Sequence, residues 1–195
     1  MINQLKGDRL VSAQMDRGRD VQQTPAGLSD VLGLGLSVVF CGLNPALSAV
    51  RDGHNFSSPS NRFWRVLHLS GFTSRLLRAD EEQELLNYGC GITATVSRAT
   101  KSASELRLDD YKKAAPLLEA KITKFAPANL AFLGKAAFAA ITARADCDWG
   151  RQREVFAGAN TWVLPNPSGL NRAFTLDRLT AHYRDLRDEI QPRAG

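Results

Sequence analysis

Apolar residues along the chain gather into four short runs, at 37–41, 90–96, 129–133 and 161–164. Each is too short to present a helical face, is rich in β-branched or aromatic residues, and is flanked by Gly or Asn-Pro, the pattern of a buried strand. Between the runs the apolar period lengthens to that of helices. Asn61 caps a predicted helix over 62–70, stopped by Gly71, with Phe63, Val66, Leu67 and Ser70 on one face and Trp64 packed. A short acidic helix over 79–88 carries Glu81, Glu82 and Glu84 as a solvated face. A longer helix, 109–125, turns Leu117, Leu118, Ile122 and Phe125 to the core, and Pro116 marks either a kink or its true start. Helices over 135–142 and about 176–190, the latter opened by Thr175, complete the set. The stretch 28–34 reads as a short turn of helix, 46–60 as a long polar loop, 97–101 as a polar loop with Arg98 and Lys101, and 143–159 as irregular and charged. Strands alternating with helices predict a parallel sheet covered on both faces.

Length and composition narrow this to one domain. The 195 residues, 44% hydrophobic and 23% charged, suffice for a core without staples. Residues 1–28 are polar and lack a period, predicting a flexible tail before a single domain over 29–192; Arg9, Arg17 and Arg19 in it either touch nucleic acid or are simply solvated. Cys41, Cys90 and Cys147 are widely spaced without a CxxC, which argues against a disulfide framework, a zinc site or an iron–sulfur cluster. No signal peptide and no bilayer-length apolar run is read, so a cytoplasmic, nucleoid-associated protein is expected. The net charge of +5 is compatible with a polyanion partner. Gly134-Lys135 is not a phosphate loop, since the upstream Gly and the following Ser/Thr are missing.

Two strands end in the same way. The first runs through Gly42 into Asn44-Pro45, and the fourth into Pro165-Asn166-Pro167-Ser168-Gly169-Leu170-Asn171-Arg172. In a parallel sheet both turns lie on one edge, where open α/β sheets bind ligands. Proline restricts the residue before it, so Asn44 is held with few options. It either merely makes the turn or is a catalytic asparagine. Leu170, on a stiff loop beside Arg172, either folds back into the core or stands out as a wedge between stacked bases, with Arg172 at a phosphate or groove.

VVFCGLNPALS, SPSNRFW at 58–64, GCGIT at 89–93 and WVLPNPSGLNR at 162–172 together resemble the mismatch-specific uracil-DNA glycosylases. These belong, with the thymine-DNA glycosylases, to the uracil-DNA glycosylase superfamily. The resemblance covers about residues 30–190, with the motifs in family order. It implies a three-layer α/β/α fold with a central four-stranded parallel sheet, and hydrolysis of the N-glycosidic bond of uracil, best opposite guanine. By this resemblance Asn44 holds the attacking water, Phe56 stacks on the flipped base, and Leu43 lines the base pocket through its backbone, with Thr93 also binding substrate. Gly169 and Asn171 contact the widowed guanine through backbone groups, and Leu170 and Arg172 form the wedge. It implies no cofactor or metal, mismatched double-stranded DNA as the partner and, since no lysine stands as nucleophile in these motifs, a monofunctional enzyme that leaves an abasic site; a monomer is the default expectation.

Two departures bear on activity. Ala94 stands after Thr93, where the family carries a polar or charged side chain. The loop after Asn44 is poorer in glycine than the family's, and its Asp52 and His54 are either a second polar group for the site or solvated. Two other readings compete: a mismatch-recognising protein of this fold that does not excise, and a small-molecule hydrolase or nucleotide-binding protein. The latter needs a phosphate loop or a Ser/His/Asp set, and His68 and His182 fall in predicted helices away from the cleft.

Overall fold

Four strands run parallel: β1 (Val38–Gly42), β2 (Cys90–Ala94), β3 (Asn129–Leu133) and β5 (Ala159–Leu164). A fifth, β4 (Gly150–Phe156), pairs antiparallel with β5 and makes the sheet mixed, in the order β2-β1-β3-β5-β4. The computed structural model describes residues 27–144 and 146–190. The predicted 1–28 tail therefore lies outside the described residues except at Gly27 and Leu28.

Alternation along the strands sorts the core into two layers. Val38, Phe40, Ala131, Leu133, Trp162 and Leu164 face α2 (Phe63–Ser70) and α5 (Leu176–Ile190). Val39, Cys41, Leu130, Phe132 and Val163 face α3 (Leu108–Phe125) and α4 (Lys135–Thr142). The three layers are thus α/β/α. One more α-helix, α1 (Leu47–Asp52), is short and comes just after the Asn44-Pro45 turn.

The departures from the sequence reading have local causes. β4 lies in the stretch read as irregular because its residues, GRQREVF, alternate between half-buried and exposed on a sheet edge, and it turns into β5 through Ala157 and Gly158, both at positive φ. The 46–60 loop contains α1, too brief for a period. Residues 28–34 are extended rather than helical: Val31 bridges Ile92 of β2 by two hydrogen bonds of 2.9 and 2.8 Å. That close approach needs Gly91, where a Cβ would stand 2.6 Å from Val31 O. Ala79–Tyr88 is a 3₁₀ helix, and Glu82 on it is buried. Leu117 is exposed, its place taken by Leu118, Ile122 and Ala114. Trp64 is packed, α5 is opened by Thr175 Oγ1 accepting from Arg178 N, and α2 stops at Gly71.

Candidate active site

β1 is the switch point of the sheet: the chain leaves it for β2 on one side and returns to β3 on the other. A cleft of about 440 Å³ opens there, over the carboxyl ends of β1, β2 and β3. It is lined by Leu43, Asn44, Phe56, Thr93, Leu170 and Asn171 among others, so six of the eight sequence-predicted site residues meet in it. Gly169 and Arg172 lie on the same loop as Leu170 but outside the lining.

Asn44 is oriented by the loop that leaves β2. Its Nδ2 donates to Arg98 O at 3.0 Å, to Thr100 Oγ1 at 2.7 Å and to Pro45 O at 3.2 Å. Carbonyl oxygens only accept, so the amide nitrogen must face them and Oδ1 must face the other way. Among the described residues Oδ1 accepts no hydrogen bond, and it is left as an acceptor for the cleft. Arg98 is fixed in turn: its guanidinium pairs bidentately with Asp110 at the start of α3, at 3.1 and 2.8 Å. The Arg98 guanidinium, with the Arg107 backbone N–H, holds the Asp110 carboxyl down to about 2.

Phe56 reaches the cleft from a strained backbone, with φ +55°. Its ring stacks on Phe63, centroids 4.0 Å apart, and covers Gly42. Leu43 packs against the α3/α4 core and also lines the cleft, and its carbonyl accepts from Val96 N at 2.9 Å. Thr93 presents no free hydroxyl: Oγ1 donates to Asp30 Oδ1 at 2.7 Å and accepts from Lys121 Nζ at 3.1 Å. Lys121 and Asp30 themselves pair at 2.6 Å, tying α3 to the entry segment beneath the cleft.

Leu170 does not fold back: it is 86% exposed at the cleft edge. Its loop is held from within and from α2. Asn171 Nδ2 donates to Asn166 O, and Ser168 N to Asn166 Oδ1, both at 2.9 Å. The Arg62 guanidinium donates to four carbonyls of the loop and its exit: Pro167 at 3.3 Å, Ser168 at 2.8 Å, Asn171 at 2.9 Å and Phe174 at 2.6 Å. Asn171 N donates to Ser168 O within the loop and its carbonyl accepts from Arg62, so both its backbone groups are engaged, whereas those of Gly169 make no hydrogen bond among the described residues. Gly169 seats against Ser60, where a Cβ would stand 2.6 Å from Ser60 O. Arg172 is exposed.

The chemistry available is narrow. Among the lining residues only Lys101 is ionisable. Asp52 is turned to Ser57 and Arg51, and His54 to Glu82, and neither lines the cleft. His68 and His182 are also outside it. Burial pushes the Cys41 and Cys90 thiols up to about 12, so neither supplies a thiolate at neutral pH. Sequence reasoning missed the Arg62 and Arg98 anchors. Arg62 pairs with carbonyls more than 100 residues on, and Arg98 with Asp110, 12 residues on, and no local pattern names either set of partners. The sequence did hold one clue to the first, since Arg62 sits inside SPSNRFW.

Residues 30–189 match the family model described as the uracil DNA glycosylase superfamily. The fold is similar to the solution NMR structure of a candidate uracil DNA glycosylase from Methanosarcina acetivorans, at 18% identity and a TM-score of 0.53, covering 84% of this chain and 98% of that one. A family match across most of the chain, on a sheet whose switch point carries the asparagine, the aromatic and the exposed leucine in one cleft, identifies the chain as a member of the uracil DNA glycosylase superfamily.

Proposed function

We propose that this DNA glycosylase removes uracil, chiefly from G:U mismatches, by hydrolysis with a water held on Asn44, and that it belongs to the mismatch-specific branch that includes the thymine-DNA glycosylases. One observation carries the reading. Both amide hydrogens of Asn44 are committed to Arg98 O and Thr100 Oγ1, so the side chain offers the cleft a fixed acceptor and nothing else.

A base inside a duplex must be swung out before its glycosidic bond can be reached, at a few kcal/mol and less at a mismatch, which favours G:U over A:U. Leu170 is placed to fill the gap, with Arg172 next to it for the backbone. Phe56 gives the extruded base a face to stack on. Uracil then departs as an anion while C1′ develops positive character. Asn44 Oδ1 accepts a hydrogen bond from the water and aims its oxygen at C1′; that oxygen bonds to C1′ as the bond to uracil N1 breaks, and the water's proton goes to the departed uracil anion. An amide does not titrate, so Asn44 contributes orientation and not proton abstraction. With no carboxylate in the lining, the rate depends on a good leaving group. The product is an abasic site in an uncut strand, which makes the enzyme monofunctional.

Single-turnover cleavage of duplexes carrying G:U, A:U or G:T, and of single-stranded uracil, tests this. The intact chain should excise from G:U fastest, and Asn44→Ala should lose on the order of a hundredfold or more, the scale of a misplaced reactant. The strand should break only after alkali, and borohydride should trap no covalent adduct to Lys101. A second reading rests on Ala94, which puts a methyl group where a polar side chain would reach the cleft. It makes the chain a mismatch-recognising protein with little excision. Tight G:U binding without cleavage would select it.

A further inference from the structure

One carboxylate on the Ala79–Tyr88 helix faces inward. Its neighbours Asp80, Glu81 and Glu84 pair with Arg75 and Arg78 at the surface. Glu82 is instead 7% exposed and packed behind the cleft. Its Oε2 accepts the backbone N–H of Asn55 at 2.8 Å and Asn55 Nδ2 at 3.0 Å, and its Oε1 lies 3.7 Å from His54 Nδ1. Asn55 Nδ2 also donates to Ser29 O at 3.1 Å, and the Asn55 backbone carbonyl accepts from Trp64 Nε1 at 3.3 Å. The next residue is Phe56.

A phenylalanine at φ +55° is held against its own preference. Such a conformation persists only where the surroundings over-determine it. The Phe56–Phe63 stack holds the ring but does not set the backbone. Burying a carboxylate costs free energy unless hydrogen bonds compensate, and here the compensating donors come from Asn55 and not from the helix that carries Glu82. We propose that Glu82 is a positioning residue: by fixing Asn55 at both backbone and side chain it imposes the left-handed turn at Phe56 and so sets the plane on which an extruded base stacks. This rests on the reading of the cleft as a base pocket.

Glu82→Met fills the volume without an acceptor, and Glu82→Gln restores one acceptor oxygen. Single-turnover excision from G:U, affinity for a duplex with an abasic analogue opposite guanine, and amide hydrogen exchange at Asn55 are measured on each. Glu82→Met should excise roughly tenfold more slowly, as expected of a misplaced base. It should bind the abasic duplex, which puts no base on Phe56, within about twofold of the intact chain, and its Asn55 amide should exchange faster. Glu82→Gln should recover most of the rate. A Glu82→Met chain with unchanged excision, or an Asn55 amide as protected as before, overturns the proposal. So does a parallel loss of excision and abasic binding in both variants, which would mark a general effect on the fold. Should Glu82→Met fail to fold, Asn55→Ala removes the same side-chain bond from the other partner and must show the same split. If the intact chain excised nothing, the base-excision reading would fail, while exchange at Asn55 would still test the clamp.

Discussion

An amide does not titrate, so in the proposed hydrolysis Asn44 can act only through hydrogen bonds, which depend on where it is pointed. Its orientation is set by acceptors, Arg98 O and Thr100 Oγ1, that belong to a different loop. Gly169 is defined as sharply by what it lacks. A methyl group there would stand 2.6 Å from Ser60 O and 2.7 Å from Ser60 Cβ. Gly169→Ala should therefore cost about 1–3 kcal/mol for the overpacked contact. Because the loop must lift off Ser60, Leu170 moves with it, and excision should fall further than stability does. Denaturant midpoints read the first effect and single-turnover rates the second. An unchanged rate would mean that the height of Leu170 above the cleft does not matter. At this scale the sequence was most informative where proline and glycine restrict the backbone. The Asn44-Pro45 turn and the 165–172 loop were both recognisable, and Leu170 stands exposed as one of its two readings required. It was least informative for Glu82, whose burial depends on Asn55, 27 residues away.

Among the elements, the start of α3 does more for the site than its distance suggests. The Arg98–Asp110 pair anchors the loop that orients Asn44. The Asp110 carboxyl titrates ordinarily near 3.8 and is held down to about 2, first by Arg98. A depressed carboxylate contributes its stability above the ordinary value and loses it as the pH falls toward the folded one. The pair should thus persist at neutral and mildly acid pH, and fade between about 4 and 2. Asp110→Asn removes it at every pH. The stability difference between the intact chain and this variant should accordingly be constant above pH 4 and shrink below it, and urea melts across that window would show a flat difference if the pair were idle. The variant should also excise more slowly at neutral pH. β1, β2, β3, β5 and α2 to α5 were legible because their apolar runs and periods are long enough to read. β4 was not, because an edge strand with alternating arginines looks like a charged loop until its partner β5 is known. α1 is too short to show a period.

For the molecule as a whole, the net charge of +5 matters less than where cations stand relative to the cleft. Lys101 lines it, and Arg172 stands two residues past the exposed Leu170. Duplex affinity should fall with salt as bound counterions are released, and Arg172→Ala should reduce the slope of log K against log salt by about one. Titrations of a G:U duplex at several salt concentrations measure this, and an unchanged slope would remove Arg172 from the phosphate contacts. The three-layer architecture was legible from the alternation of strands and helices. The fifth strand, and the ties that bring residues 30, 93 and 121 together beneath the cleft, were not, since no local pattern encodes a contact between distant segments.

The seat of Gly169 on Ser60 and the four bonds from Arg62 join the 165–172 loop to the segment that carries Phe56. With Leu170 as the proposed wedge and Phe56 as the proposed stacking face, the two form one stiff tool rather than two fingers that close in turn. Such a tool would catch a base that the helix has already released rather than work a well-paired one loose by stages. Reaction rates across lesions should then track how often each pair opens by itself, so that thermodynamic weakness in the DNA, more than recognition of a chemical group, decides what is repaired first.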